Sequence, residues 1–337
     1  MKIIIPMAGR GSRLRPHTLT TPKPLIPVGG KPIVHRLVED IAKVLDNKVE
    51  KIGFIIGQDF GEEVEKDLLA IAERMGAEGS IHYQVEKLGT AHAILRAEEL
   101  LNGPTVVAYA DTLFRADFTI SPEDDGILWV KKIDDPSAFG VVKMNEKNEI
   151  IDFVEKPKEF VSDLAMIGIY YFKKGEDLKV ELNYLIENNI SKGGEYQLPD
   201  ALKRLTEKGT KFKPGEVNEW LDCGNKGVTV HTNQRVLEFD KENNIQLIDD
   251  SVVLQNSVII PPCFIGKDVA INNSIIGPHV SVGERTKIEG SVIKNTIIQK
   301  NVVLSNVNLI DSMIGNQSAV RKNKQNLSIG DYTTMDI

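Results

Sequence analysis

Beyond residue 245 an aliphatic side chain recurs at steps of six: Ile265 and Ile271, then Ile276, Val282 and Ile288, then Ile298 and Leu304, then Ile314 and Val320. Glycine follows the aliphatic at 266, 277, 283, 315 and 330. A step of six matches neither the 3.6-residue period of a helix nor the two-residue alternation of a half-buried strand. It is the step of a parallel β-helix, in which each six residues supply one strand and one turn. A sandwich of short strands has no reason to keep it. The repeat predicts a β-helix domain over 245–337, with four to five coils of about 18 residues each.

The preceding 240 residues have a different period. Apolar strand-like runs at 2–6, 51–57, 81–85 and 105–111 alternate with amphipathic stretches at 32–45, 61–75 and 91–101. In the first of these, Ile33, Leu37, Ile41 and Leu45 share a helical face, and Pro32 suits the first turn. Such alternation predicts a mostly parallel sheet covered on both faces, with ligands beyond the carboxyl ends of its strands. The loops after residues 2–6 and 105–110 are therefore expected at one rim. Residues 126–172 are β-rich and read as an insertion that builds a second wall of a pocket. Helices are expected near 175–190, 197–208 and 226–239. The fold class is thus α/β: a Rossmann-like, mixed, mostly parallel sheet over 1–240, followed by the hexapeptide-repeat β-helix over 245–337.

Composition narrows the function classes. A net charge of −7 argues against nucleic acid as a partner, since a phosphate backbone calls for a broad basic face. No apolar run approaches the roughly 18 residues of a membrane span, and MKIIIPMAG lacks a secretory cleavage pattern. Cys223 and Cys263 form no CxxC or zinc spacing, so a reducing cytoplasm is the simplest expectation.

The densest chemistry lies at 8–24, where AGRGSRLRP leads to TPKP. A glycine loop after a first strand offers backbone N–H groups to an anion. It is not a P-loop, because GxxxxGK[ST] is absent, nor the dinucleotide fingerprint GxGxxG, because Leu14 stands where the third glycine belongs. On its glycines alone it reads as a plain turn. Arg10, Arg13, Arg15 and Lys23 shift the balance to a cradle for a polyanion, and Pro22 and Pro24 hold the backbone on both sides of Lys23.

AGRGSRLRPHTLTTPKPLIPVGGKP resembles the GxGxRLxPxTxxxPKP signature of the sugar-1-phosphate nucleotidyltransferases, the NDP-sugar pyrophosphorylases. DPSAFGVV, FVEKP, GIYYF, GEYQLPDA and EWLDCGN follow in that family's order, and a C-terminal left-handed β-helix is common there. The resemblance implies in-line attack of a sugar 1-phosphate on the α-phosphorus of a nucleoside triphosphate, with Mg²⁺ as cofactor and no covalent enzyme intermediate. Such a reaction calls for positioning and charge neutralisation. It implies that Ala8, Gly9 and Gly11 wrap the nucleotide, Arg13 binds the departing β,γ-phosphates, and Lys23 acts near the α-phosphate. Gln84 and Gly89 are the implied base-reading pair, and Asp111 and Asp222 the implied Mg²⁺ ligands. Gly140, Glu155, Lys156, Gly168 and Glu195 form the implied sugar 1-phosphate site. The sequence departs from NxGxY at Met166-Ile167-Gly168-Ile169-Tyr170; the form AxxGxY is closer to the glucose-1-phosphate thymidylyl- and uridylyltransferase branches.

The best-matched pair is therefore glucose 1-phosphate with dTTP or UTP. The alternatives are a non-catalytic regulatory or scaffold relative, a mannose-1-phosphate guanylyltransferase, and a bifunctional enzyme whose β-helix transfers acyl groups. The last needs a histidine base, and His279 alone lies in the repeats. The β-helix is expected to pair subunits into a homo-oligomer. Trp129 and Trp220 read as core or pocket wall, His17 and His92 as structural, and the acidic run 123–125 as a solvated turn.

Overall fold

The computed structural model describes residues 1–322 except Arg10, Asn47, Lys48, Phe118, Lys156 and Lys158. It divides into two compact units, one of residues 1–26 and 31–225, the other of 27–30 and the chain from 226 onward.

In the first unit, Ile3, Ile4 and Ile5 of strand β1 (Lys2–Pro6) are fully buried, as a central strand covered on both faces requires. Helix α1 (Ile33–Val44) follows with Pro32 at its N-cap, and Ile33, Leu37, Ile41 and Leu45 all face the core. Then come β2 (Lys51–Ile56), α2 (Glu62–Arg74) and β3 (Glu78–Tyr83). The helix predicted over 91–101 is broken. Only α3 (Thr90–Ile94) is α-helical, and the six residues beyond it form a 3₁₀ stretch with Ala97 outside helical φ/ψ. Strand β4 (Thr105–Ala108) stops short of the predicted Asp111, and Tyr109 just beyond it donates its N–H to Gly168 O at 2.9 Å.

The remaining elements are β5 (Thr112–Arg115), β6 (Gly126–Lys132), β7 (Gly140–Met144), β8 (Ile150–Glu155), β9 (Leu164–Phe172), α4 (Gly175–Glu187), α5 (Leu198–Glu207), β10 (Phe212–Glu216) and β11 (Glu219–Asp222). One nine-stranded sheet runs β3-β2-β1-β4-β9-β6-β10-β8-β7. Strands β1 to β4 are mutually parallel, whereas β9 is antiparallel to both β4 and β6. The segment 126–172 therefore forms no sheet of its own. Its strands continue the main sheet, and Ala165–Phe172 are buried as interior strand residues must be. Strands β5 and β11 form their own antiparallel pair, with Asp222 opposite Thr112. The acidic run is not fully solvated either: Asp124 is buried, and Lys213 donates to it at 2.8 Å.

In the second unit three parallel sheets stack strand on strand, with each strand paired to the third one after it. Val253 faces Ala270, then Lys287, Val303 and Ala319. The arrangement is consistent with a three-sided β-helix. Its coils advance by 17 or 16 residues, not 18. Sides built on two-residue strands, such as Ile275–Ile276 and Ile297–Ile298, advance the inward aliphatic by five residues. Ile265, Ile271, Ile276, Val282, Ile288, Ile293, Ile298 and Leu304 form the enclosed core. The repeat at 329–330 lies outside the described residues.

Helix α6 (Lys226–Glu242) belongs to this unit, so the division falls before residue 226 and not after 240. Buried Asn233 accepts from Gly29 N–H at 2.8 Å and from Ser281 Oγ at 2.6 Å, and His279 meets Glu238 at 3.0 Å.

Candidate active site

The chain leaves β1 at Pro6 and runs through three short 3₁₀ turns, Ser12–Leu14, His17–Leu19 and Lys23–Leu25. Leu14 is buried and anchors the loop. Gly11 has φ +76°, and a Cβ there would lie 2.7 Å from Lys23 Cβ. Glycine is thus needed for Lys23 to pass beneath the loop. The Thr18 hydroxyl closes the turn by donating to Gly11 O at 2.8 Å.

Lys23 is only 6% exposed, and its Nζ donates to Asp111 Oδ2 at 3.0 Å. This contact joins the loop after β1 to the loop after β4, at one rim of the sheet. Cys223 N–H donates to Asp111 O at 3.0 Å, which carries the end of β11, and with it Asp222, to the same place. Burial raises the Asp222 carboxyl above its ordinary value, and the charge of Asp111 adds to the effect. Lys23, Arg13 and the Gly224 N–H pull it the other way. Arg13, Lys23, Asp111 and Asp222, scattered over two hundred residues of sequence, therefore share one electrostatic neighbourhood. A cleft of about 640 Å³ opens over them, lined by Gly9, Gly11, Arg13, Arg15, Lys23 and Asp111, with Lys87, Tyr109 and Gly224 among the rest. Gly9 borders open space, and Ala8 is buried beneath it.

Gln84 does not line that cleft. It is 8% exposed at the end of β3, where its N–H donates to Ile56 O at 2.9 Å. Its side-chain Nε2 donates to Gly89 O at 3.1 Å and lies 3.3 Å from His92 Nδ1. Gly89 has φ +98°, and a Cβ there would come within 2.4 Å of Tyr196 O. Tyr196 in turn donates to Leu88 O and accepts from Ala91 N–H. This packing places Glu195 beside Gly89. Its exposed side chain accepts from Gln197 Nε2 at 2.9 Å, and it is not among the cleft residues.

Of the other residues expected at a sugar phosphate, Gly140 opens β7 and faces Glu155 across the β7–β8 ladder. Lys156 and the side chain of Glu155 lie outside the described residues. Gly168 has φ +87°, and a Cβ there would sit 2.9 Å from the ring of Tyr109, which lines the cleft. Phe139, next to Gly140, packs edge-on against Trp220 at 4.7 Å, linking the segments that carry Gly140 and Asp222. Trp129 is core, fully buried against Phe114.

Sequence reasoning missed Lys87 and Tyr109 in the cleft and His92 behind Gln84. Lys87 was legible as the one cation between Gln84 and Gly89. Tyr109 was not, because an aromatic at a strand end usually reads as core.

No group of three or more histidine, cysteine or acidic side chains is gathered as for a metal among the described residues. Two carboxylates, Asp111 and Asp222, suit a hard divalent cation whose remaining ligands are phosphate oxygens and water, as Mg²⁺ prefers, and not a closed protein cage.

A family model described as nucleotidyl transferase matches residues 2–238. The chain belongs to the nucleotidyl transferase family. Among relatives of this family it is 32% identical over 273 residues to the bifunctional protein GlmU of Methanococcus maripaludis, covering 78% of this chain and 62% of that protein. The chain thus spans less than two thirds of the length of the GlmU relatives it matches. It is 29% identical to the glucose-1-phosphate thymidylyltransferase of Streptomyces antibioticus, over 100% of this chain and 99% of that protein. A solved UDP-glucose pyrophosphorylase, complexed with UDP-glucose, shares the fold with a TM-score of 0.58 and 24% identity, covering 71% of this chain and 98% of that one. No helix among the described residues is long and apolar enough to cross a membrane.

Proposed function

We propose that this transferase joins a nucleoside triphosphate to a sugar 1-phosphate, releasing pyrophosphate and an NDP-sugar. A phosphate oxygen of the sugar 1-phosphate attacks the α-phosphorus in line. A new P–O bond forms, the bond from the α-phosphorus to the oxygen bridging to the β-phosphate breaks, and pyrophosphate leaves with that electron pair. The observation that carries this reading is the Lys23–Asp111 contact beside Asp222, under a glycine loop that carries Arg13.

Gly9, Gly11 and the backbone at Ala8 let the triphosphate approach the loop, Arg13 holds the departing β,γ-phosphates, and Lys23 neutralises charge at the α-phosphate. Asp111 and Asp222 would hold Mg²⁺, which supplies charge neutralisation between the phosphates when bound. Gln84 and Gly89 read the base. Gly140, Glu155, Lys156 and Gly168 form the sugar 1-phosphate side. Glu195 is assigned to a sugar hydroxyl.

Glucose 1-phosphate with dTTP or UTP is the favoured pair. Its support is the form AxxGxY at 165–170, the amide at Gln84, and a thymidylyltransferase relative that spans the whole chain. The C-terminal unit is proposed as a left-handed β-helix that pairs subunits into a homo-oligomer in the cytoplasm. Acyl transfer by that unit is disfavoured, because it needs a histidine base and His279 is the single histidine in a short set of repeats. A non-catalytic role is disfavoured by the intact Arg13, Lys23, Asp111 and Asp222 set. Incubation with Mg²⁺, each nucleoside triphosphate and a panel of sugar 1-phosphates, with pyrophosphate measured, tests the proposal. Release from at least one pair is expected, and none from any pair overturns it.

A further inference from the structure

We propose that His92 is a positioning residue for nucleotide selection: by accepting a hydrogen bond from Gln84 it holds the amide so that only its oxygen faces an incoming base. This rests on the reading of Gln84 as a base contact.

The amide's orientation follows from its neighbours. The atom 3.1 Å from Gly89 O must be a donor, since a carbonyl oxygen there would face another carbonyl oxygen. That makes it Nε2. The same nitrogen lies 3.3 Å from His92 Nδ1, so its second hydrogen meets a ring lone pair, and His92 is neutral with its proton on Nε2. Both amide hydrogens are thereby used inside the protein. Gln84 is 8% exposed, and among the described residues its side-chain hydrogen bonds run through Nε2 and none through Oε1. A buried amide with both donors engaged and an open acceptor is a one-sided reader. It favours bases with a ring N–H, as uracil and thymine have at N3, and opposes cytosine, whose N3 is a lone pair.

The lock depends on a neutral imidazole. Protonation turns Nδ1 into a donor facing an amide N–H, which removes one of the two restraints. Burial lowers the His92 pKa from 6.5, and the Arg96 charge, one turn on in the chain, adds to this. Glu86, in the turn beside Gln84, opposes it. These are the charged groups that act on the ring, and their balance keeps it neutral near pH 7.

Steady-state kinetics of the full chain with UTP, dTTP and CTP against one sugar 1-phosphate, from about pH 5.5 to about 8.5, tests the idea across the range in which histidine titrates. In the wild type, KM for UTP or dTTP is expected to rise about three- to tenfold as pH falls through a value below 6.5, with kcat held, the loss of one hydrogen bond to a reading group. His92→Phe should show the raised KM at every pH and lose discrimination against CTP by a similar factor. His92→Asn keeps an acceptor that does not titrate. It should show the wild-type KM at neutral pH without the acid rise, and it keeps the test open if the phenyl ring does not fit. His92→Phe with wild-type KM and discrimination, or His92→Asn with the acid rise intact, overturns the inference. Gln84→Ala separates the two levels. If it loses discrimination while His92→Phe keeps it, only the role of His92 falls; if it keeps discrimination, Gln84 is not the base contact and both fall.

Discussion

Gly11, Gly89 and Gly168 in the first unit, and Asn256, Asn273 and Asn306 in the second, all place the backbone in the left-handed region. They do so for different reasons. Each of the three glycines has another segment pressed against it: Lys23 on Gly11, Tyr196 on Gly89, Tyr109 on Gly168. Those contacts assemble the cleft and the turn beside it from distant stretches of chain. In the coils the positive-φ residues form columns instead. Asn256 donates to Asn273, Arg285 to Asn301, and Asn295 to Asp311, each one coil further on. The coil unit thus spreads left-handed backbone over many equivalent corners, several of them supported by a side-chain bond to the next coil. The first unit also has left-handed backbone at open turns such as Gly61, Gly103 and Asn148, but its three crowded positive-φ glycines, where a Cβ would meet another segment, lie in or beside the candidate site.

If that contrast is right, perturbations of the two units separate in kind. The largest effect belongs to the site charges: Lys23→Met should lower kcat about 10³-fold, as loss of a charge-stabilising donor does elsewhere, with an unchanged melting profile for the coils. A loss of less than tenfold would remove Lys23 from the chemistry. Next is the coil core. Ile293→Ala should cost about 2–5 kcal/mol in unfolding of the second unit while kcat is unaltered; a parallel fall in kcat would mean that the units are not separable. Gly89→Ala combines strained φ with a 2.4 Å approach to Tyr196 O, and should cost about 1–3 kcal/mol together with a raised nucleotide KM. Asn273→Ala, at a corner with room and a ladder, should cost about 1–2 kcal/mol and leave KM alone. Equal effects of these two on KM would erase the distinction.

The smallest effect has the opposite sign. Folding raises the pKa of Asp222, so the stability linked to this group is full below the ordinary carboxyl value of 3.8 and is lost as pH rises through the raised one. Asp222→Asn should therefore raise the melting temperature slightly at pH 7, with the gain fading toward pH 4, while it removes activity. A destabilised variant at pH 7 would contradict the electrostatic account of the site.

Much of this was legible in the sequence because the residues report backbone requirements directly. The six-residue aliphatic step announced the coils, and the apolar period of 32–45 announced α1. The coil length was misjudged because the short sides advance by five residues, as from Ile271 to Ile276, and a single missing residue disappears among conservative aliphatics. That the strands of 126–172 join the main sheet was not legible, because pairing partners are not written in local pattern: nothing in LAMIGIYYF says that it inserts between β4 and β6. At the site, charged residues near glycines were visible, and Lys23, Asp111 and Asp222 do converge. His92 was passed over because one histidine on a short helix carries no signal until Gln84 and Gly89 are seen around it.

The central claim is that nucleotide and sugar phosphate react over the Lys23–Asp111–Asp222 cluster. Its most direct test is the joint yield of pyrophosphate and NDP-sugar from wild type and Asp111→Asn, assayed side by side with Mg²⁺. The account predicts equal amounts of the two products from the wild type, dependent on the sugar 1-phosphate, and none above background from a folded Asp111→Asn. Pyrophosphate release without the sugar 1-phosphate, or an Asp111→Asn variant as active as the wild type, would contradict it.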